Sequence, residues 1–177
     1  MSLQTWNELV ATAIADATAV QNTTSETAIY SQTIPANYAY QGRTLRVRAF
    51  GKYSTTSNPT MIFGLRWGGA AGVLLAQTET LTMGTTQTNL NWGVELVMVF
   101  RTIGTAGTVL AFGDVTVQTT TSAITTQTFS VAGADAPAVS ASLDTTVDKA
   151  LALTATWGTQ SASNTLTGML FTVEAMN

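Results

Sequence analysis

The sequence predicts an all-β protein: a single antiparallel β-sandwich, jelly-roll-like, with about eight main strands and a short N-terminal helix or arm. Three observations carry that prediction. The stretch from Leu90 to Arg101, LNWGVELVMVFR, places Leu90, Trp92, Val94, Leu96, Met98 and Phe100 on every second residue. Side chains alternate faces along a strand, so these residues line one buried face, whereas a 3.6-residue period would scatter them around a cylinder. Threonine makes up roughly a fifth of the 177 residues, and its branched side chain favours a pleated surface. Clusters of Gly, Pro, Asn and Ser punctuate the alternating segments, as hairpin and loop residues do.

Residues 1–15 stand apart from the rest. Thr5-Trp6-Asn7-Glu8 has the form of a capping box, in which the threonine hydroxyl caps a helix start and the glutamate reaches back. Trp6, Leu9, Val10, Ala13 and Ile14 then share one helical face, which predicts a short helix over 6–15. Its role is either to plug one end of the sandwich or to lie as an arm on a neighbouring subunit. From residue 16 to 177 the chain reads as one sandwich domain, with no internal repeat and no linker.

Within that domain a short segment at 18–20 and a strand at 27–34 are separated by Gln21-Asn22-Thr23-Thr24-Ser25, and Pro35-Ala36-Asn37 ends the second. Residues 38–42 form a loop containing Tyr38 and Tyr40. The strand at 44–53 sets Leu45, Val47, Ala49, Gly51 and Tyr53 opposite Arg46, Arg48, Phe50 and Lys52. At 60–67, Met61, Phe63, Leu65 and Trp67 point one way and Arg66 the other. Gly68-Gly69-Ala70-Ala71-Gly72 reads as a hairpin turn, because it lacks the Lys-Ser/Thr ending of a phosphate-binding loop and no helical pattern follows. Strands are expected at 73–80, 90–101 and 108–119, the last with Val109, Ala111, Gly113, Val115 and Val117 alternating. Residues 119–146 are the least regular, with a short strand around 128–131. Strands at 147–157 and 165–175 close the domain, with Val147, Lys149, Leu151, Leu153, Ala155 and Trp157 in phase in one and Met169, Phe171 and Val173 in the other. Eight such strands with unequal loops fit two packed antiparallel sheets.

Charged residues are only 10 % of the chain, against a usual ~25 %. Hydroxyls and amides take their place, which suits either a soluble β domain or a protein packed among copies of itself or partners. In such an interface long charged side chains lose entropy and hydration. Net charge is −3, and the basic residues Arg43, Arg46, Arg48, Lys52, Arg66, Arg101 and Lys149 form no patch of the size phosphate binding needs, so no nucleic-acid partner is expected. No apolar run approaches the ~20 residues of a membrane helix, and no basic start marks a secretory signal. The expectation is a soluble protein, made in its host cytoplasm without an export signal.

Cysteine and histidine are both missing. Disulfides, thiolate chemistry and the usual nucleophilic triads therefore have no residues to form from, and the commonest metal ligand and general base is absent. A carboxylate pair for glycoside hydrolysis is the surviving enzymatic idea, with Glu79, Glu95, Asp114, Asp144 and Asp148 as candidates. Glu95 and Asp114 fall opposite the core row with Arg46, Arg48, Arg66 and Arg101, where cross-strand ion pairs are the commoner outcome. No enzymatic activity, catalytic residue, metal or cofactor is expected. Trp67, Trp92 and Trp157 read as core by phase, whereas Tyr38 and Tyr40 in their loop are candidates for packing, an interface or a sugar platform.

Several segments resemble a known family. The run from Ala17 to Ser31 (ATAVQNTTSETAIYS), Ile34-Pro-Ala-Asn37, Leu45 to Gly51 (LRVRAFG) and Ala162 to Thr167 (ASNTLT) are similar to a β-sandwich domain of tailed-bacteriophage structural proteins. The resemblance covers about residues 16–175 and consists of turns and alternating strands, so it transfers no catalytic residue. It implies a non-enzymatic virion protein, with a free-standing domain suiting a capsid decoration (cement) protein better than a fibre. The implied partners are the major capsid protein or another virion protein and copies of the chain itself, a homotrimer first, at the capsid surface. Leu3, Trp6, Leu9 and Val10 are then the expected anchors on the capsid or a sister protomer. The alternative is a receptor- or glycan-binding domain of a tail or head fibre, with Tyr38, Tyr40 and residues 119–146 as its tip.

Overall fold

The computed structural model describes residues 7–129 and 139–176, and these form two packed antiparallel sheets. In chain order the strands are β1 (Asn7–Thr12), β2 (Val20–Gln21), β3 (Thr27–Ile34), β4 (Thr44–Ser54), β5 (Thr60–Trp67), β6 (Val73–Gln77), β7 (Leu81–Thr82), β8 (Leu90–Thr102), β9 (Thr108–Thr120), β10 (Ala123–Phe129), β11 (Lys149–Trp157) and β12 (Thr165–Met176). The larger, seven-stranded sheet runs β1-β12-β4-β8-β9-β10, with β2 also on β12; the smaller, five-stranded sheet runs β3-β11-β5-β6, with β7 also on β5. The sandwich and all eight main strands expected from the alternation are present.

Period-2 alternation translates directly into burial. On β8 the residues Leu90, Trp92, Val94, Leu96, Met98 and Phe100 are all buried, and on β4 so are Leu45, Val47, Ala49 and Tyr53. Three ring pairs join the sheets across the core: Phe63 with Trp92 at 5.4 Å, Trp67 with Phe100 at 5.8 Å and Tyr30 with Phe171 at 4.9 Å. Such a pair adds about 0.5–1.5 kcal/mol beyond its buried area. Trp67, Trp92 and Trp157 are core residues, and each indole N–H donates to a backbone carbonyl: of Asp144 at 2.9 Å, of Thr167 at 3.2 Å and of Val20 at 3.0 Å. Burying an indole without that partner leaves a costly orphan donor.

The hairpin after β5 is formed by the predicted glycine turn. Gly68 and Gly69 have φ of 103° and 84°, a left-handed conformation that side-chain-bearing residues resist, and both amides donate to Ala150 O.

Four expectations need correcting. The N-terminal helix is not formed: residues 7–12 are a strand, with Asn7 opposite Met176 and Thr12 opposite Thr172. A helix of that length is marginal in isolation, whereas the outer edge of β12 offers a row of unpaired backbone groups that β1 satisfies. Met169 is exposed rather than in phase with Phe171 and Val173, because a bulge between Gly168 and Leu170 shifts the register by one residue. Val147 is exposed and precedes β11. Within the irregular region the strand runs over Ala123–Phe129 and forms a hairpin with β9, earlier and longer than expected; Ser130 and Val131 lie outside the described residues.

Candidate functional site

Because β12, β4, β8, β9 and β10 are neighbours in the larger sheet, their solvent-side residues form continuous cross-strand rows. One row is Glu174, Arg46, Val97 and Phe112. The next is Thr172, Arg48, Glu95, Asp114 and Thr128, and the third is Leu170, Phe50, Gly93, Thr116 and Thr126. Several charges on this face are tied in register. Arg46 Nε donates to Glu174 Oε2 at 2.9 Å, Arg48 Nη2 donates to Glu95 Oε1 at 3.0 Å, and Thr128 Oγ1 donates to Asp114 Oδ1 at 3.3 Å. Glu95 and Asp114 do share this face, directly opposite each other, and both are engaged by these neighbours.

Between the ion pairs, large apolar side chains stand in solvent. Phe50, Val97, Phe112 and Leu170 are between 40 % and 47 % exposed, and Ile124 is 68 % exposed. Eight large exposed apolar residues among the described strands belong to the seven-stranded sheet: these five together with Leu9, Met169 and Met176. Among the described residues, no large exposed apolar side chain stands on a strand of the smaller sheet.

Two shallow grooves run over this face. One, of about 430 Å³, is lined by Val97, Val99, Leu110 and Phe112 beside Glu95 and Asp114. The other, of about 370 Å³, is lined by Phe50, Asn91, Gly93, Thr116, Gln118 and Ile124. The Phe50 ring lies over Gly93, where an added Cβ would come within 2.8 Å of its Cδ1. Asn91 Nδ2 donates to Gln118 Oε1 at 3.1 Å on the groove wall.

A second cluster forms where β1 meets the loop before β4. The Arg43 guanidinium stacks 3.8 Å from the Tyr38 ring centroid and 5.2 Å from that of Tyr40. Arg43 Nη2 donates to Glu8 Oε2 at 2.9 Å, the Tyr38 hydroxyl donates to the same oxygen at 3.0 Å, and Arg43 also reaches the Tyr38 hydroxyl. Burial raises the Tyr38 phenol above its usual value, the Glu8 carboxylate adds to this, and the Arg43 charge opposes it. The phenol therefore stays a donor at neutral pH, and the cluster fastens β1 to the loop.

The structure thus gathers some of the expected interface residues and scatters others. Tyr38 and Tyr40 meet around Arg43, and Leu9 stands exposed next to Glu8, whereas Val10 is half-buried against the core. Leu3 and Trp6 lie outside the described residues. Sequence reasoning missed Arg43, and it missed Phe50, Val97, Phe112 and Ile124 as one surface. The signal was present in the phase: Phe50 sits between Arg48 and Lys52, and Val97 and Val99 between Glu95 and Arg101. Among the described residues, no three His, Cys, Asp or Glu side chains gather to hold a metal ion.

No family model matches this chain, and no curated protein matches its sequence. Among solved structures it is similar to the CBM2 module of the evolved Dit of Lactobacillus casei BL23 phage J-1, with 11% identity, 83% of this chain and 68% of that chain covered, and a TM-score of 0.33. At that level the likeness carries no argument about what this chain does.

Proposed function

We propose that this chain is a non-enzymatic structural protein of a tailed-bacteriophage virion, and that it acts as a capsid decoration protein bound to the outer capsid surface. The observation that carries the reading is the solvent face of the seven-stranded sheet. Five strands at about 4.8 Å spacing and three residue rows about 6.8 Å apart give it an area on the order of 500 Å², more than half of the ~800 Å² each partner contributes to a standard interface. Its apolar residues gain from leaving water, and Arg46–Glu174 and Arg48–Glu95 are already closed as ion pairs across strands, so docking over them need not bury a lone ion. The resemblance in the strand and turn segments supplies the virion context. The engagement of Glu95 by Arg48 and of Asp114 by Thr128 supports a structural rather than a catalytic role for this carboxylate pair.

Sedimentation with capsids lacking the protein tests the reading. The chain should co-sediment with them, and Phe112→Ser with Val97→Ser should lower occupancy at least tenfold while the melting temperature holds. Failure of the unaltered chain to bind would remove decoration from consideration.

One observation favours a second reading, a glycan-binding domain. The Phe50 ring over Gly93, flanked by Asn91, Thr116 and Gln118, offers a stacking surface with amides and a hydroxyl beside it. Tyr38 is less suited than its sequence position suggested, because Arg43 covers one face of its ring. Glycan-array binding that disappears in Phe50→Ala, with no capsid binding, would select this alternative.

A further inference from the structure

Among the described residues, and apart from the two-residue strands β2 and β7, four strands end the two sheets, and three of them carry an irregularity that blunts an edge. β1 is bulged at Val10, and its Glu8 is held by Arg43. β3 is bulged at Ile29, and β6 is five residues long and bulged at Leu75. β10 differs. Its pairing with β9 is irregular only beside the hairpin, where the extra residue, Thr119, lies on β9 rather than on the edge strand. From Ile124 to Phe129 the edge is unbroken, and among the described residues no strand pairs with its outer side. No charged residue and no proline occurs between Asp114 and Asp135. An uncharged, regular edge of this kind is a template for another strand.

We propose that β10 is a self-association edge: two copies of this chain pair antiparallel through Ala123–Phe129 about a two-fold axis. The occupant is a second copy for three reasons. Full overlap of the segment with itself sets Thr126 opposite Thr126 and Ile124 opposite Thr128, all of them exposed in one chain. Identical strands without charge do not repel, although the whole chain is at −3. The same register sets Thr125 opposite Gln127, whose side-chain Oε1 is buried without a hydrogen-bond partner; the threonine hydroxyl supplies a donor there. The pairing is isologous and uses both edges, so it stops at a dimer. It joins two seven-stranded sheets edge to edge and sets their solvent faces side by side. The inference goes beyond the decoration reading and does not depend on it.

Sedimentation equilibrium on the full chain, without capsids, is the test. The unaltered chain should show twice its 18.5 kDa mass. Thr126→Lys and Thr126→Glu each set like charges across the axis at an exposed position, and each should sediment as a monomer that keeps the β-sheet circular-dichroism spectrum of the unaltered chain. Mixing the two variants in equal amounts should restore the dimer. A monomeric or trimeric unaltered chain overturns the proposal, as does a dimer that survives both substitutions.

Discussion

On the five-stranded sheet, the solvent-side positions of β11 and β5 include Ala152, Thr154 and Gly64, all buried although they point away from the core. They are roofed by an ion pair. Arg66 Nε and Nη2 grip the two oxygens of Glu26 at 2.6 and 2.7 Å, Arg66 Nη1 donates to Gly72 O at 2.9 Å, and Thr154 Oγ1 donates to Glu26 Oε1 at 2.6 Å. On the seven-stranded sheet the corresponding positions hold Phe50, Val97 and Phe112, which nothing roofs among the described residues. One sheet completes its outer layer from within the chain; the other leaves apolar surface uncovered among the described residues. The contrast teaches where to look for function. A face whose polar groups are satisfied and whose small residues are covered is finished structure, whereas a face with exposed rings between its ion pairs is where a docking partner would gain most.

Arg66→Ala should break the contrast most strongly. It strands the half-buried Glu26 carboxylate and opens the roof, costing about 2 kcal/mol. Arg48→Ala on the open face removes a more exposed pair and should cost less than about 1 kcal/mol. Urea unfolding of both variants measures the difference. The pH dependence follows from the same cluster. Burial pushes the Glu26 carboxyl up, but the hydrogen bonds from Arg66 and Thr154 and the Arg66 charge outweigh it, so the folded pKa lies below the usual one. A depressed carboxyl contributes fully above its unfolded pKa of about 4.3 and loses that contribution as pH falls through the lower folded value. The unaltered chain should therefore lose this stability as the pH is lowered into that window, and Arg66→Ala should show a shallower loss.

A paired glycine substitution sharpens the comparison at intermediate size. A Cβ at Gly64 would lie 2.7 Å from Thr154 Oγ1 and 3.1 Å from Glu26 Oε1, inside the closed roof. At Gly93 the near atoms belong to the Phe50 ring, which is free to swing toward solvent. Gly64→Ala should cost about 1–3 kcal/mol by overpacking, and Gly93→Ala less than about 1 kcal/mol. Equal losses in thermal melts would erase the distinction between the faces. The smallest expected effect is on stability itself: Phe112→Ser on the open face should move it by less than about 0.5 kcal/mol, because a side chain already in water loses little. Its consequence should appear in capsid occupancy instead.

The alternation of β4, β5, β8 and β9 was legible residue by residue, and so was the burial of the three tryptophans, because a strand's two faces are set by a local period of two. Parts of the candidate surface were legible in the same way: Phe50 and Val97 break the polar phase of their strands. Their union was not, since it requires β4 beside β8 and β8 beside β9, and adjacency is a long-range property. The ion pair of Arg43 carried no signal, because Glu8 reaches it only when β1 docks on β12, although Tyr38 and Tyr40 lie in its own loop.

The sequence alone therefore determined the class of fold, the eight main strands and most of their inward residues, since hydrophobic periodicity acts between near neighbours in the chain. Tertiary structure decided the rest. It made residues 7–12 a strand by offering them the edge of β12, exposed Met169 through a bulge, and buried Ala152 and Thr154 beneath Arg66 and Glu26. Each of these outcomes depends on groups distant in sequence, whose hydrogen bonds and contacts exist only once the sheets are assembled.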